Sequence, residues 1–275
     1  MTVKEYAAKY DISIRAVYHG LYSGRIAGEI GLGGWNINDC PPTKSARFRS
    51  AGELAGLPDY ELAIIWHTAS ICGDSIQIRN TDPYYGRTVS EVLHGSLWCS
   101  PRNAKSQTWI YKASGQALVD ALKSMGFSGR KNPDRQPPPV DDLIAAQALM
   151  ETRCSLTWAL RYKTRKSTDK RNAYYTPSIK IAGSSADLQQ YVDTLCNKQI
   201  IPPRKLYHAA NGTTKVLSIA SQEQLHNIYD VLTQGERSHR EWWDRYYKHI
   251  ESPIIPYYDK RGLGRKEPQD ERIER

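Results

Sequence analysis

Residues 141–165 contain two hydrophobic periods in succession. Up to Glu151, the apolar residues Leu143, Ile144, Ala148 and Leu149 recur three and four apart, which places them on one helical stripe. After Ser155 the period drops to two. Leu156, Trp158, Leu160 and Tyr162 then share one face of a strand, and Arg161, Lys163 and Arg165 share the other. One side can bury while the other presents a row of cations, either as an ordinary solvated face or as a binding face.

The same reading along the chain predicts a helix over 59–72, strands near 75–79, a helix over 86–94, strands over 96–100 and 107–113, and a helix over 114–125. It then predicts a helix over 141–153, strands over 156–165 and 174–182, a helix over 185–198, strands over 204–210 and 214–220, and a helix over 221–233. The two series repeat each other. Laying Ala113 on Ala220 matches Ser114 with Ser221 and Leu118 with Leu225, so a strand leads into a helix both times. Each series reads αββαββα. Breaks rich in Pro, Gly and Ser separate the parts, and the predicted boundaries are 1–42, a linker over 43–58, 59–130, a Pro-rich linker over 131–140, 141–235 and 236–275. The last part reads as a short helix over 238–250, an arm that packs or contacts a partner, and a disordered end.

At the N-terminus the pattern is two short helices, a tight turn and a small hairpin. Thr2 with Glu5 three residues on forms a capping box, and Ser13 caps the second helix. The runs TVKEYA, SGRI and GGWNIND resemble excisionase and MerR-like winged helix-turn-helix modules. That resemblance implies a second helix in the major groove, with base contacts from Ser13, Arg15, Tyr18 or His19 and a phosphate contact from Arg25.

A net charge of +9 points to a polyanionic partner, and no stretch approaches the roughly 18 uninterrupted apolar residues of a membrane span. A cytoplasmic protein without a cleavable leader is the expectation. Five cysteines, an odd number without a C-x-x-C pair, suggest neither a disulfide framework nor structural zinc; they are expected to be reduced and packed. The histidines show no ligand spacing. Tyr and Trp (18 and 7) far outnumber the 2 Phe, which suits surfaces that are apolar in body and polar at the tip.

Two αββαββα units in one chain resemble a single-chain LAGLIDADG homing endonuclease. The resemblance covers residues 59 to about 235 and rests on element order more than on motif letters. It implies an α+β fold in which two tandem αββαββα repeats form a pseudo-twofold saddle, with both sheets in the major groove of double-stranded DNA and the two motif helices packed on the axis. Setting the motif on residues 67–75 puts Asp74 on the metal-binding acid. In the second copy, over 146–154, Glu151 takes the first acid, Arg153 the metal-binding one and Cys154 the glycine. Base or phosphate contacts then fall to Arg79, Arg102 and Lys105 in the first copy and to Arg161, Lys163, Arg165, Lys166, Lys170, Arg171 and Lys180 in the second.

A guanidinium cannot ligate a divalent cation and repels it, so Arg153 shifts the expectation from nuclease to binder. The reading is a sequence-specific DNA-binding regulator or repressor of a phage or mobile element, monomeric with internal pseudo-symmetry and without a cofactor. The alternative is an active or nicking endonuclease using Mg²⁺ and Asp74, with Lys215 or Lys105 near the scissile phosphate.

Overall fold

The computed structural model describes residues 1–22, 26, 28–31, 34–39, 54, 56–103, 106–130, 132, 135–163, 173–208, 214–235, 237–258 and 264. In chain order its elements begin with α1 (Val3–Lys9), α2 (Ile14–Tyr22), β1 (Gly28–Gly31) and β2 (Gly34–Ile37). Next come α3 (Asp59–Thr68), β3 (Ala69–Cys72), β4 (Ser75–Asn80), α4 (Tyr84–Val92), β5 (Ser96–Asn103), β6 (Ser106–Ser114) and α5 (Gln116–Ser124). The same order returns as α6 (Asp142–Arg153), β7 (Cys154–Tyr162), β8 (Ala173–Gly183), α7 (Ser185–Asn197), β9 (Tyr207–His208), β10 (Lys215–Ile219) and α8 (Gln222–Leu232). The chain continues with α9 (Arg240–Ile250) and β11 (Ile255–Pro256). This is a mixed α+β fold with antiparallel sheets. No helix among the described residues is long and apolar enough to cross a membrane.

The chain divides into two compact units, Met1–Leu57 with Ser70–Leu122, and Pro58–Ala69 with Lys123–Arg275. Within the first, α1 starts on the Thr2–Glu5 capping box, with Thr2 N 2.7 Å from Glu5 Oε2. Ser13 Oγ accepts from the Ala16 amide at 3.1 Å and starts α2. Tyr6, Ala7, Val17, Leu21, Ile26 and Ile37 form a small core of their own beneath these helices and the hairpin. Gly20 is required there, because a Cβ would come 2.5 Å from Ile26 Cδ1.

The second part of this unit is a sheet of order β3-β4-β6-β5, with α4 against β4, β5 and β6. Ile76, Ile78, Tyr111 and Ala113 are buried on its helix side, where Ile76 pairs with Ala113 and Ile78 with Tyr111. Tyr111 donates to the Leu93 carbonyl at 2.6 Å, and burial pushes its phenol pKa up. Gly95 lets the chain pass this ring, since a Cβ would sit 2.6 Å from Tyr111 Cε2.

In the second unit, β7, β8, β10 and β9 take the same order as β3, β4, β6 and β5, and β11 adds to β8 beside β10. Ile179, Ile181, Leu217 and Ile219 from the strands meet Leu188, Tyr191, Leu195, Leu225 and Ile228 from α7 and α8, with Trp242, Trp243 and Tyr246 of α9 closing the core. The aromatic C-terminal segment is therefore packed, and Tyr246 donates to the Leu225 carbonyl at 2.9 Å. Its arm joins the sheet, with Ile255 opposite Tyr175 and Pro256 opposite Tyr174. Beyond Tyr258 only Gly264 is among the described residues.

Helices α3 and α6 pack together, and both are buried nearly all round. Glu151 is 3 % exposed and accepts from Gln147 Nε2 (3.1 Å), the His239 amide (3.1 Å), Trp243 Nε1 (2.6 Å) and Tyr60 Oη, tying α3, α6 and α9 to one carboxylate. Burial raises its pKa against the pull of these donors. Arg135, from the Pro-rich stretch predicted to be a linker, is 1 % exposed. It forms a buried ion pair with Asp187 and donates to the Trp66 carbonyl at 2.8 Å.

Three expectations are corrected. Residues 59–72 are not one helix: α3 stops at Thr68, whose hydroxyl donates to the Ile64 carbonyl at 2.6 Å, and the β-branched and small residues that follow extend into β3. Over 204–210 only Tyr207–His208 is strand among the described residues, because Pro202 and Pro203 upstream offer no ladder donors. Of the described cysteines, all free, Cys72 is exposed rather than packed.

Candidate nucleic-acid interface

In the first unit, the register decides which side chains leave the core. Gln77 and Arg79 on β4 lie opposite Lys112 and Ile110 on β6, and β5 adds Ser96 and Trp98 to that outer face, on which Ser75 and Ile110 stay buried. Arg79 is exposed, and its Nε donates to Gln77 Oε1 at 3.0 Å. Lys112, Gln77 and Trp98 were not picked out from the sequence. Their signal was the alternation in TWIYKAS, where Trp109, Tyr111 and Ala113 turn inward and leave Lys112 on the other side. Arg102 lies in β5, with only its backbone described, and Lys105 lies outside the described residues.

In the second unit, Ser155, Thr157, Ala159 and Arg161 on β7 pair with Lys180, Ser178, Thr176 and Tyr174 on β8, and Lys180 pairs with Ser218 on β10. These residues make the face away from the core helices, with Arg161 and Lys180 exposed on it and Thr176 and Ser178 buried. Lys163 follows β7 and is also exposed; Arg165, Lys166, Lys170 and Arg171 lie outside the described residues. Tyr207, opposite Val216, alternates onto this face and is 65 % exposed. Lys215 does not share it: it alternates with Leu217 and Ile219 on the helix side, with Nζ 2.7 Å from His208 Nε2.

Across β3 to β11 there is not one Asp or Glu, although the chain has 29 of them, whereas Arg79, Arg102, Lys112, Arg161, Lys180 and Lys215 are all in these strands. A face with cations, hydroxyls and amides but without acids favours a ligand that is itself anionic and rich in acceptors.

On the N-terminal module, Arg15 and Tyr18 are exposed along α2, whereas the Ser13 hydroxyl is engaged as the helix cap. Nothing is described of the His19 side chain, and Arg25 lies outside the described residues.

The ends of α3 and α6 test the implied metal. Thr68 and Arg153 are the last helical residues, and the next residues, Ala69 (φ −79, ψ 147) and Cys154 (φ −77, ψ 138), share one extended geometry with amides donating to Ile65 and Met150. Thr68 is thus the counterpart of Arg153. Asp74, aligned on sequence with a helix end, instead lies exposed in the β3–β4 turn after Gly73 (φ +64). A threonine whose hydroxyl is spent on its own helix and a guanidinium do not fit a divalent cation, which takes oxygen ligands from carboxylates. Among the described residues no group of three or more His, Cys, Asp or Glu could hold a metal ion.

No family model matches the chain, and no curated protein matches it. Among solved structures, the chain is similar to the LAGLIDADG meganuclease I-AabMI bound to uncleaved DNA (TM-score 0.46, 9% identity, covering 70% of this chain and 89% of that one). It is also similar to the I-SmaMI LAGLIDADG homing endonuclease bound to cleaved DNA (TM-score 0.46, 9% identity, 70% and 88%) and to the meganuclease I-CpaMI bound to uncleaved DNA (TM-score 0.45, 8% identity, 70% and 90%).

Proposed function

We propose that the chain is a sequence-specific double-stranded DNA-binding protein of the LAGLIDADG-like architecture that regulates rather than cleaves its target. The observation that carries the reading is the outer face of the two larger sheets, cationic and, across strands β3 to β11, free of Asp and Glu. Antiparallel strands fit the major groove, where Arg79, Lys112, Arg161 and Lys180 supply donors to base edges or phosphates, and Gln77 supplies both a donor and an acceptor. The N-terminal helices and hairpin extend the footprint as a winged helix-turn-helix, with Arg15 and Tyr18 on the exposed side of α2. Thr68 and Arg153 at the two helix ends favour the regulator over the nuclease, since phosphodiester hydrolysis by two metals needs carboxylates to hold them.

The test is to recover bound fragments by enrichment from genomic DNA, then incubate the recovered duplex with the protein and Mg²⁺. A short recurrent site left intact, bound equally in Mg²⁺ and EDTA, supports the regulator; a cut or nick at that site defeats it. If six to ten phosphates are neutralised, affinity falls by roughly 10³ to 10⁵ between 50 and 200 mM salt, and a flat salt response ends the DNA reading.

A further inference from the structure

At the end of α6, Arg153 has no ion pair with a carboxylate among the described residues. Arg153 is half-buried, yet among the described residues its guanidinium makes one long hydrogen bond, from Nη2 to the Arg130 carbonyl at 3.4 Å, and its buried Nε has no partner. Burial first, then the charges of Arg135 and Arg130, bring its pKa down to about 10. The acid whose charge acts in the other direction is Asp187, whose Oδ2 forms the ion pair with Arg135. Arg130 is half-buried and has no carboxylate partner among the described residues. Arg153 therefore feels two like charges against one opposite charge.

Desolvating a guanidinium beside like charges is costly, and the cost is recovered when an anion arrives. A planar fork with open N–H donors matches two oxygens of a phosphate in bidentate geometry. We propose that the end of α6 is a phosphate site, in which Arg153, with Arg130 beside it, takes the non-bridging oxygens of one backbone phosphate of duplex DNA. This deepens the DNA-binding reading and rests on it. Where the LAGLIDADG resemblance implies a carboxylate and a metal between protein and phosphate, a single guanidinium here supplies the positive charge directly. The neutral Thr68 at the other helix end supplies none, so the site is one-sided and contacts one strand.

The experiment pairs Arg153→Gln with single methylphosphonate linkages walked through the recovered site, with Arg153→Lys as the charge-keeping control. Arg153→Gln is expected to weaken binding about tenfold and reduce the salt slope by about one. One methylphosphonate position should weaken the wild type by a similar factor and leave Arg153→Gln unaffected, with Arg153→Lys in between. The Tm of Arg153→Gln in chloride buffer should equal or exceed that of the wild type, because an unpaired cation has been removed. A lower Tm with unchanged affinity assigns Arg153 a packing role and overturns the proposal. So does duplex binding in which no linkage depends on Arg153. If the wild type binds no duplex, thermal unfolding in inorganic phosphate against chloride at equal ionic strength separates the two ideas. An Arg153-dependent rise keeps the anion site and sinks the DNA reading; no rise sinks both.

Discussion

Thr68 and Arg153 stand at equivalent ends of α3 and α6, each the last helical residue before an extended cap and a strand. One is a hydroxyl turned back onto its own helix and the other a cation, so the pair cannot share a metal as two carboxylates would.

Asp74 should accordingly be dispensable. Asp74→Asn is expected to change stability and site affinity by no more than about 0.5 kcal/mol, the ordinary range for a surface position. The check is a binding titration beside a supercoiled-plasmid assay in Mg²⁺; cleavage by the wild type that vanishes in Asp74→Asn would restore the nuclease.

The sheet faces should divide specificity from affinity. Arg161→Ala is expected to cost about 1–3 kcal/mol at one base pair and relax preference there, as removal of a bidentate base contact does. Binding-site selection with the variant reads this, and uniform weakening across all sequences would reassign Arg161 to phosphates. Deleting residues 1–42 should shorten the nuclease-protected footprint while the remainder stays folded.

The buried Arg135–Asp187 pair should matter through loss of one partner. Arg135→Ala strands an aspartate that is 2 % exposed and is expected to cost about 3–5 kcal/mol in urea unfolding. The double variant Arg135→Met with Asp187→Leu should regain most of that loss. Equal destabilisation by the single and double variants would mean that the hydrogen bond to Trp66, not the charge pair, anchors this segment.

Stability should decline on mild acidification. Burial, then the charges of Arg135 and Arg153, hold the His67 pKa well below its ordinary 6.5. Between those two values the unfolded chain binds a proton that the folded chain refuses, so this contribution is complete above pH 6.5 and shrinks as pH falls below it, by at most about 1.4 kcal/mol per unit. Glu151, raised above 4.5, contributes in the opposite sense at lower pH. Unfolding midpoints measured from pH 7.5 to 5 should fall for the wild type and fall less steeply for His67→Gln.

Local pattern alone determined much of this protein. The period change at Cys154 and the doubled αββαββα order follow from residues adjacent in the chain, whose spacing dictates helix or strand wherever they pack. The capping box at Thr2 and Glu5 is equally local. What sequence could not decide were the matters that depend on partners distant in the chain. Whether the stretch after Trp66 stays helical turns on strand pairing rather than on propensity, and the four residues 69–72 carried Asp74 from a helix end into a turn. Arg135 reads as a solvated linker residue until Asp187, far along the chain, is folded against it. Glu151 reads as a motif acid until Tyr60, His239 and Trp243 close around it and make it a buried tie between helices. Burial and charge pairing are properties of the assembled fold, because desolvation is set by every element that excludes water from a site, not by the residues beside it in the chain.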